Sequence, residues 1–259
     1  MIRRLRFLCS VALAAALFAQ AGCVTSKKYR LAKDDTPPAQ TLGWTATTPA
    51  AELTLQTLIV FKGPGSWKRE ARWDEYIVRV TNTGSQPLAI YDAELADLQG
   101  APQRPGDDPW ALEKLSYTNW DKYGKVGLKL AAGAGAVVVY GAAMTGVALS
   151  GMAAGSAASG AVFLVADVIP LVALVDVTTV AVMNHNNRNK VEAEFTRRKL
   201  NLPLMVSPGA SAQGSLFFPM TPGPRTLTLR GHAGDQSVEI TLDLKALAGL
   251  HIAPKPAKK

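Results

Sequence analysis

Cysteine and histidine are almost missing from this chain of 259 residues. The two cysteines are Cys9 and Cys23, too few for a disulfide framework. The three histidines, His185, His232 and His251, lie far apart in the chain, and none has the HExxH spacing of a zinc helix. No GxSxG elbow occurs. GAGAVVVYG lacks both the GxGxxG spacing and the preceding strand of a dinucleotide site. Charge is missing altogether between Leu130 and Ala166. These absences point away from an enzyme: no catalytic residues, metal ligands or cofactors are expected. Asp107 and Asp108 in RPGDDPW are the nearest approach to a cation seat, and such Pro/Gly-rich acidic loops are as a rule solvated.

The N-terminus is rich where the rest is poor. Arg3, Arg4 and Arg6 precede an apolar run from Phe7 to Phe18, and small residues follow. That is the order of an export signal, and a run of about 12 residues is too short to cross roughly 30 Å of hydrocarbon. Cys9 departs with the leader, which leaves Cys23 as a lone thiol in an oxidising compartment. Removing residues 1–22 takes away three arginines and no acid, so the excess of +8 falls to +5. That excess is mild, and part of it sits in KKYRLAK and the tail APKPAKK, which are either a solvated tether and tail or contacts for anionic headgroups or an acidic envelope polymer. Nucleic acid is not an expected partner.

Ala21, Gly22 and Cys23 resemble the end of a bacterial lipoprotein signal. The resemblance implies a diacylglycerol thioether and an acylated, palmitoyl-type amine on Cys23. Val24 in the next place implies sorting to the outer membrane, facing the periplasm. Several acyl chains on one residue give stable anchoring. The alternative is cleavage at Ala19-Gln20-Ala21, which would release a soluble periplasmic form. Residues 23–50, with few large apolar side chains, are expected to be the lipidated N-terminus and a flexible tether.

From Glu52 the pattern has period two. ELTLQTLIVF places Leu53, Leu55, Thr57, Ile59 and Phe61 on one side, and DEYIVRVTN sets Tyr76, Val78 and Val80 against Ile77, Arg79 and Thr81. LAIYDAELADLQG resumes extended character after the turn TGSQP. The same grammar returns as LPLMV, GSLFFPM, RTLTLR and SVEITLDL, where Val238, Ile240, Leu242 and Leu244 alternate with Glu239, Thr241 and Asp243. Seven such strands suit an immunoglobulin-like sandwich. VRVTNTGSQPLAIYDAELADLQG and PGASAQGSLFFP resemble two phrases of Ig-like domains in bacterial envelope lipoproteins, a likeness that implies architecture and no activity.

Between the two halves small residues recur every four positions: Gly127, Ala131 and Gly135, then Gly151, Gly155 and Ser159. This resembles a glycine zipper, in which small side chains let two helix backbones approach closely. The reading is a helical hairpin with arms near 122–153 and 160–187, reversing at GMAAGSAASG, and a polar surface helix over Asn184–Leu200. Asp167, Pro170 and Asp176 oppose a simple membrane span, although Lys129 could pair with an acid in an assembly. Membrane association and soluble packing both stay open. Trp110, Tyr117, Trp120 and Tyr123, interleaved with Lys114, Lys122 and Lys125, either form an interface belt or bury the hairpin base against the sandwich. Trp67 and Trp73 flank a basic loop, SWKREARW, that could be a contact surface.

The expected fold class is therefore α+β: an Ig-like antiparallel β-sandwich of about seven strands interrupted by a long Gly/Ala-rich α-helical hairpin. The sandwich falls at 51–105 and 201–250, the helical insertion at 106–200, and a basic tail at 251–259. The function expected is structural or assembly-related in the cell envelope, with the hairpin contacting membrane or a second copy in a homo-oligomer. The alternative is a module that binds an envelope protein or glycan, the hairpin only bracing it.

Overall fold

The computed structural model describes residues 31, 41–61, 63, 65–68, 71–131, 133 and 172–253, with backbone alone over 172–184. Nine strands among them form two antiparallel sheets, and two helices accompany the sheets in an α+β sandwich. The first sheet runs in the order β1 (Trp44–Thr47), β2 (Ala51–Ile59), β3 (Trp73–Asn82), β7 (Ser211–Pro219). The second is built on β4 (Leu88–Ala96), which pairs with β5 (Pro102–Gln103), β6 (Leu204–Val206) and β8 (Thr226–Ala233); β9 (Gln236–Asp243) closes it beside β8. The β8–β9 hairpin turns on two residues, with Gly234 at φ 60° as such tight turns demand.

The core lies between the sheets. Leu53, Leu55, Tyr76, Val78, Val80, Leu216 and Phe218 from one sheet meet Leu88, Ile90, Leu227, Leu229, Val238, Ile240 and Leu242 from the other. All seven expected strands are present, and β9 alternates as its sequence predicts. The period-two reading fails in one place. A β-bulge between Leu55 and Thr57 shifts the register of β2, so Leu58 and Val60 join the core while Ile59 turns to the opposite face. An extra residue in one strand always inverts the faces that follow it.

The first sheet is apolar on its outer face as well, and that face carries a third layer. Helix α1 (Pro109–Lys125) contributes Leu112, and α2 (Val172–Arg198) contributes Val191 and Phe195, to a cluster with Ile59, Trp67, Ala71, Trp73 and Phe217. Phe195 stacks on Phe217 with centroids 4.0 Å apart, and Trp73 meets both edge-on at 5.5 and 5.2 Å. Edge-to-face and offset rings add about 0.5–1.5 kcal/mol per pair beyond area burial.

Several boundaries differ from expectation. Residues 41–50 are not tether: Trp44–Thr47 pair with Glu52–Leu55. Of the arm expected near 122–153, residues 122–125 belong to a helix that begins earlier, at Pro109. Asp108 caps its start by accepting from the N–H groups of Trp110 (3.0 Å) and Ala111 (3.1 Å), with Pro109 in the first turn. Its end falls at Lys125, and Gly127, expected on the packing stripe, has φ 80° in the turn that follows. Leu130 then bridges Ile252, so the expected basic tail begins inside the fold. At the far side, the end of the second arm and the polar stretch form one helix, Val172–Arg198. Gly135, Gly151, Gly155, Ser159 and the rest of the expected hairpin lie outside the described residues. Among the described residues no helix is long and apolar enough to cross a membrane.

Tight packing between sheet neighbours is open to a direct test at Gly231. A Cβ there would press into the Ala89 carbonyl oxygen and lie 2.8 Å from Ile90 Cδ1. Gly231→Ala is expected to destabilise by about 3 kcal/mol, roughly 6–12 °C in Tm. Gly124→Ala, where a Cβ meets nothing within 4 Å, is expected to leave Tm unchanged or to raise stability by up to about 1 kcal/mol.

Candidate functional site

The chemistry of the described residues gathers where β3 begins. Asp74 and Glu75 are consecutive, and consecutive residues of a strand point to opposite faces; both are completely buried. On the helix side, Glu75 accepts from the Trp67 indole N–H (2.6 Å) and from the Ser215 hydroxyl (2.6 Å), with Arg198 Nη1 at 3.6 Å. On the other side, His251 Nε2 donates to Asp74 Oδ2 at 2.8 Å. The Gly133 N–H, which can only donate, points at His251 Nδ1 from 3.0 Å. Nδ1 is therefore unprotonated, and His251 is the neutral Nε2–H tautomer. His251 itself stands at φ 59°, a conformation a non-glycine residue keeps only when its surroundings over-determine it.

Lys68 completes the group. It is fully buried, and its ammonium lies 3.8 Å from the centre of the Trp73 ring. Among the described residues it has no hydrogen-bond acceptor. Burial pushes its pKa down to about 8, against the opposing pull of Asp74, Glu75 and Glu113. Burial, with Asp74 beside it, pushes the Tyr76 phenol up. Glu113 reaches back from α1 to accept from the Arg72 backbone N–H. A second knot ties the end of α1: the Tyr123 hydroxyl donates to Asp97 Oδ2, and Asp97 Oδ1 takes the N–H groups of Gln99 and Ala101, each at 2.8 Å. Burial alone would raise the Asp97 pKa, but Tyr123, these two N–H groups and Lys122 together hold it below the usual range.

Lys68, Asp74, Glu75 and His251 are all completely buried. Of three surface depressions, the 580 Å³ groove at Leu98, Pro224 and Lys245, the 610 Å³ groove at Gly84 and Gly234, and the 150 Å³ cleft at Arg104 and Lys199, none is lined by Lys68, Asp74, Glu75 or His251. The cleft touches the group only through Ser215. Buried carboxylates ringed by donors from separate segments are suited to holding those segments together. Among the described residues no three metal-ligating side chains cluster.

The residues singled out in the sequence fall as follows. Trp67 and Trp73 are buried 5.6 Å apart, with Ser66, Lys68 and Ala71 buried beside them and Arg72 half-buried, while Arg69 and Glu70 lie outside the described residues. Asp107 pairs with Lys199 at 2.9 Å, and Asp108 is a helix cap, so both acids have structural partners. Trp110 donates to Glu192 on α2 and lies 4.3 Å from the Arg188 guanidinium. Tyr117 and Trp120 flank Arg72 at 4.9 and 5.7 Å. His185 is exposed on α2 near Asn189, and His232 lies tilted against Tyr91 at 5.2 Å. His251 is no surface histidine. The acids of β3 had a signal that sequence reasoning passed over: two adjacent charges sit in a strand whose neighbouring positions, Trp73, Tyr76, Ile77 and Val78, are apolar on both faces.

No family model, curated protein or solved structure matches this chain. Its reading rests on its own residues.

Lys68 provides a measurement with a definite sign. Its folded pKa of about 8 lies below the ordinary lysine value of 10.5, so the ammonium destabilises the fold fully below about pH 8. The cost shrinks as pH rises from about 8 to 10.5, because the folded side chain sheds its proton first. Lys68→Met is therefore expected to stabilise at pH 7 by about 3 kcal/mol. Its advantage over wild type, followed by thermal melts, should shrink towards zero near pH 10. A Met variant that melts lower at pH 7 would mean that the ammonium's interactions outweigh its desolvation.

Proposed function

We propose that this chain is a lipid-anchored protein of the bacterial cell envelope, outer-membrane-attached and facing the periplasm, with a structural or assembly role. Cys23 carries the lipid, and the Gly/Ala-rich segment between α1 and α2 mediates self-association or membrane contact. The Ig-like reading of the sandwich has support in the strand order. β2, β3 and β7 lie in one sheet and β4, β8 and β9 in the other, as strands A, B, E and C, F, G do in Ig sandwiches.

One observation carries the functional reading. The uncharged stretch that starts at Leu130 leaves from residues fastened to the sandwich. The Ala131 N–H donates to the His251 carbonyl at 3.0 Å, and the Ala253 N–H donates to the Lys129 carbonyl at 2.8 Å. Chain re-enters the described fold as α2, whose Val191 and Phe195 are buried on the same sheet. A segment without charge, held at its outset by a rigid base, is suited to packing against copies of itself or against lipid. Partner recognition is the second reading, favoured by Tyr91 and Met205, which stay 48% and 65% exposed on strands of the second sheet.

Cross-linking of the full chain in intact membranes separates the two. Self-association through the small residues should give a ladder of oligomers that is lost on Gly151→Leu or Gly155→Leu. A strictly monomeric protein, indifferent to both changes, would remove the self-association role and leave partner recognition in its place.

A further inference from the structure

Three of the five large apolar side chains exposed among the described residues sit on α1 or immediately after it: Leu115 at 50%, Tyr117 at 39% and Val126 at 64%. The helix buries Leu112, Ser116, Asn119 and Tyr123 on its inner face. At 100° per residue, Lys114, Lys125, Thr118, Lys122, Leu115 and Val126 fall within an outward arc of about 120°. Lys114, Lys122 and Lys125 are exposed there, and Lys129 is exposed just beyond. Asp121 is the one exposed acid within α1, at the border of the arc, and Asp107 and Asp108 are exposed just before its first turn. Lys122 is partly spoken for, with Asp97 Oδ2 at 3.6 Å. Lys114, Lys125 and Lys129 make no salt bridge among the described residues.

We infer that this face of α1 docks on an anionic phospholipid surface. The inference rests on the membrane-anchored reading above and names the part of the folded domain that meets the bilayer. Two observations select lipid over other occupants. Lysines interleaved with isolated Leu and Val side chains match headgroup phosphates and the upper acyl region together. The same face also runs directly into the uncharged stretch beginning at Leu130, so a cationic collar stands where an apolar segment starts. The C-terminal end of α1, negative by its dipole, helps to concentrate lysines there.

The test is flotation of the full mature chain carrying Cys23→Ala with phosphatidylcholine vesicles, with and without phosphatidylglycerol. Binding is expected only to the anionic vesicles. It should fall roughly 100-fold in partition coefficient for the triple variant Lys114→Gln/Lys125→Gln/Lys129→Gln, at about fivefold per lysine. Leu115→Ser/Val126→Ser should weaken it without altering its salt dependence. Unchanged melting curves keep either loss from being misfolding. Binding that ignores lipid charge, triple-variant binding equal to the parent, no binding at all, or a change in oligomer size without lipid would each overturn the inference. Failure of the acylated wild type to float with neutral vesicles would instead count against the anchor itself.

Discussion

Asp74 and Glu75 stand side by side on β3, point to opposite faces of one sheet, and are both removed from water. Ionised carboxylates in such places cost several kcal/mol each unless partners surround them. The partners come from four separate parts of the chain: Trp67 in the β2–β3 loop, Ser215 on β7, Arg198 at the end of α2, and His251 after β9. Withdrawing any of these segments would expose or orphan a charge. The pair therefore makes the end of the sandwich, the helix layer and the C-terminal segment mutually dependent.

That dependence explains why the insertion has a firm base. β3 and β7 are apolar outward as well as inward, through Trp73, Ile77 and Phe217, so the first sheet needs a third layer. α1 and α2 supply it. On the inner side, His251 accepts from Gly133 and holds Asp74, which brings the start of the uncharged stretch under the control of the buried acid. The arrangement trades some stability, visible in Lys68, whose buried ammonium has no hydrogen-bond acceptor among the described residues, for a defined geometry at the point where the uncharged stretch begins.

Much of the sandwich was legible because each strand keeps period two over enough residues; β9, from Val238 to Leu242, is the clearest case. The faces of β2 were not, because nothing local marks Gln56 as the extra residue of a bulge. β1 was missed because WTAT is short and gains its strand identity only by pairing with β2. The end of α1 was misplaced because the small-residue pattern runs through Gly127, while the backbone there is already left-handed. The buried charges were hardest of all. Lys68 lies in a stretch that reads as a basic surface loop, and His251 follows the last strand with no pattern around it; only tertiary packing gives either its role. Of the aromatics near α1, Tyr123 is buried on Asp97 while Tyr117 remains exposed beside Arg72, a division that spacing along the chain does not show.

Attachment to a bilayer at Cys23 is the premise on which the base, the uncharged stretch and the cationic helix face acquire a common purpose. Intact mass and fatty-acid labelling of the mature protein, with wild type beside Cys23→Ala, test it most directly. The account requires an acylated wild type that begins at Cys23 and an unlabelled variant. An unmodified chain that begins at Gly22 would contradict it.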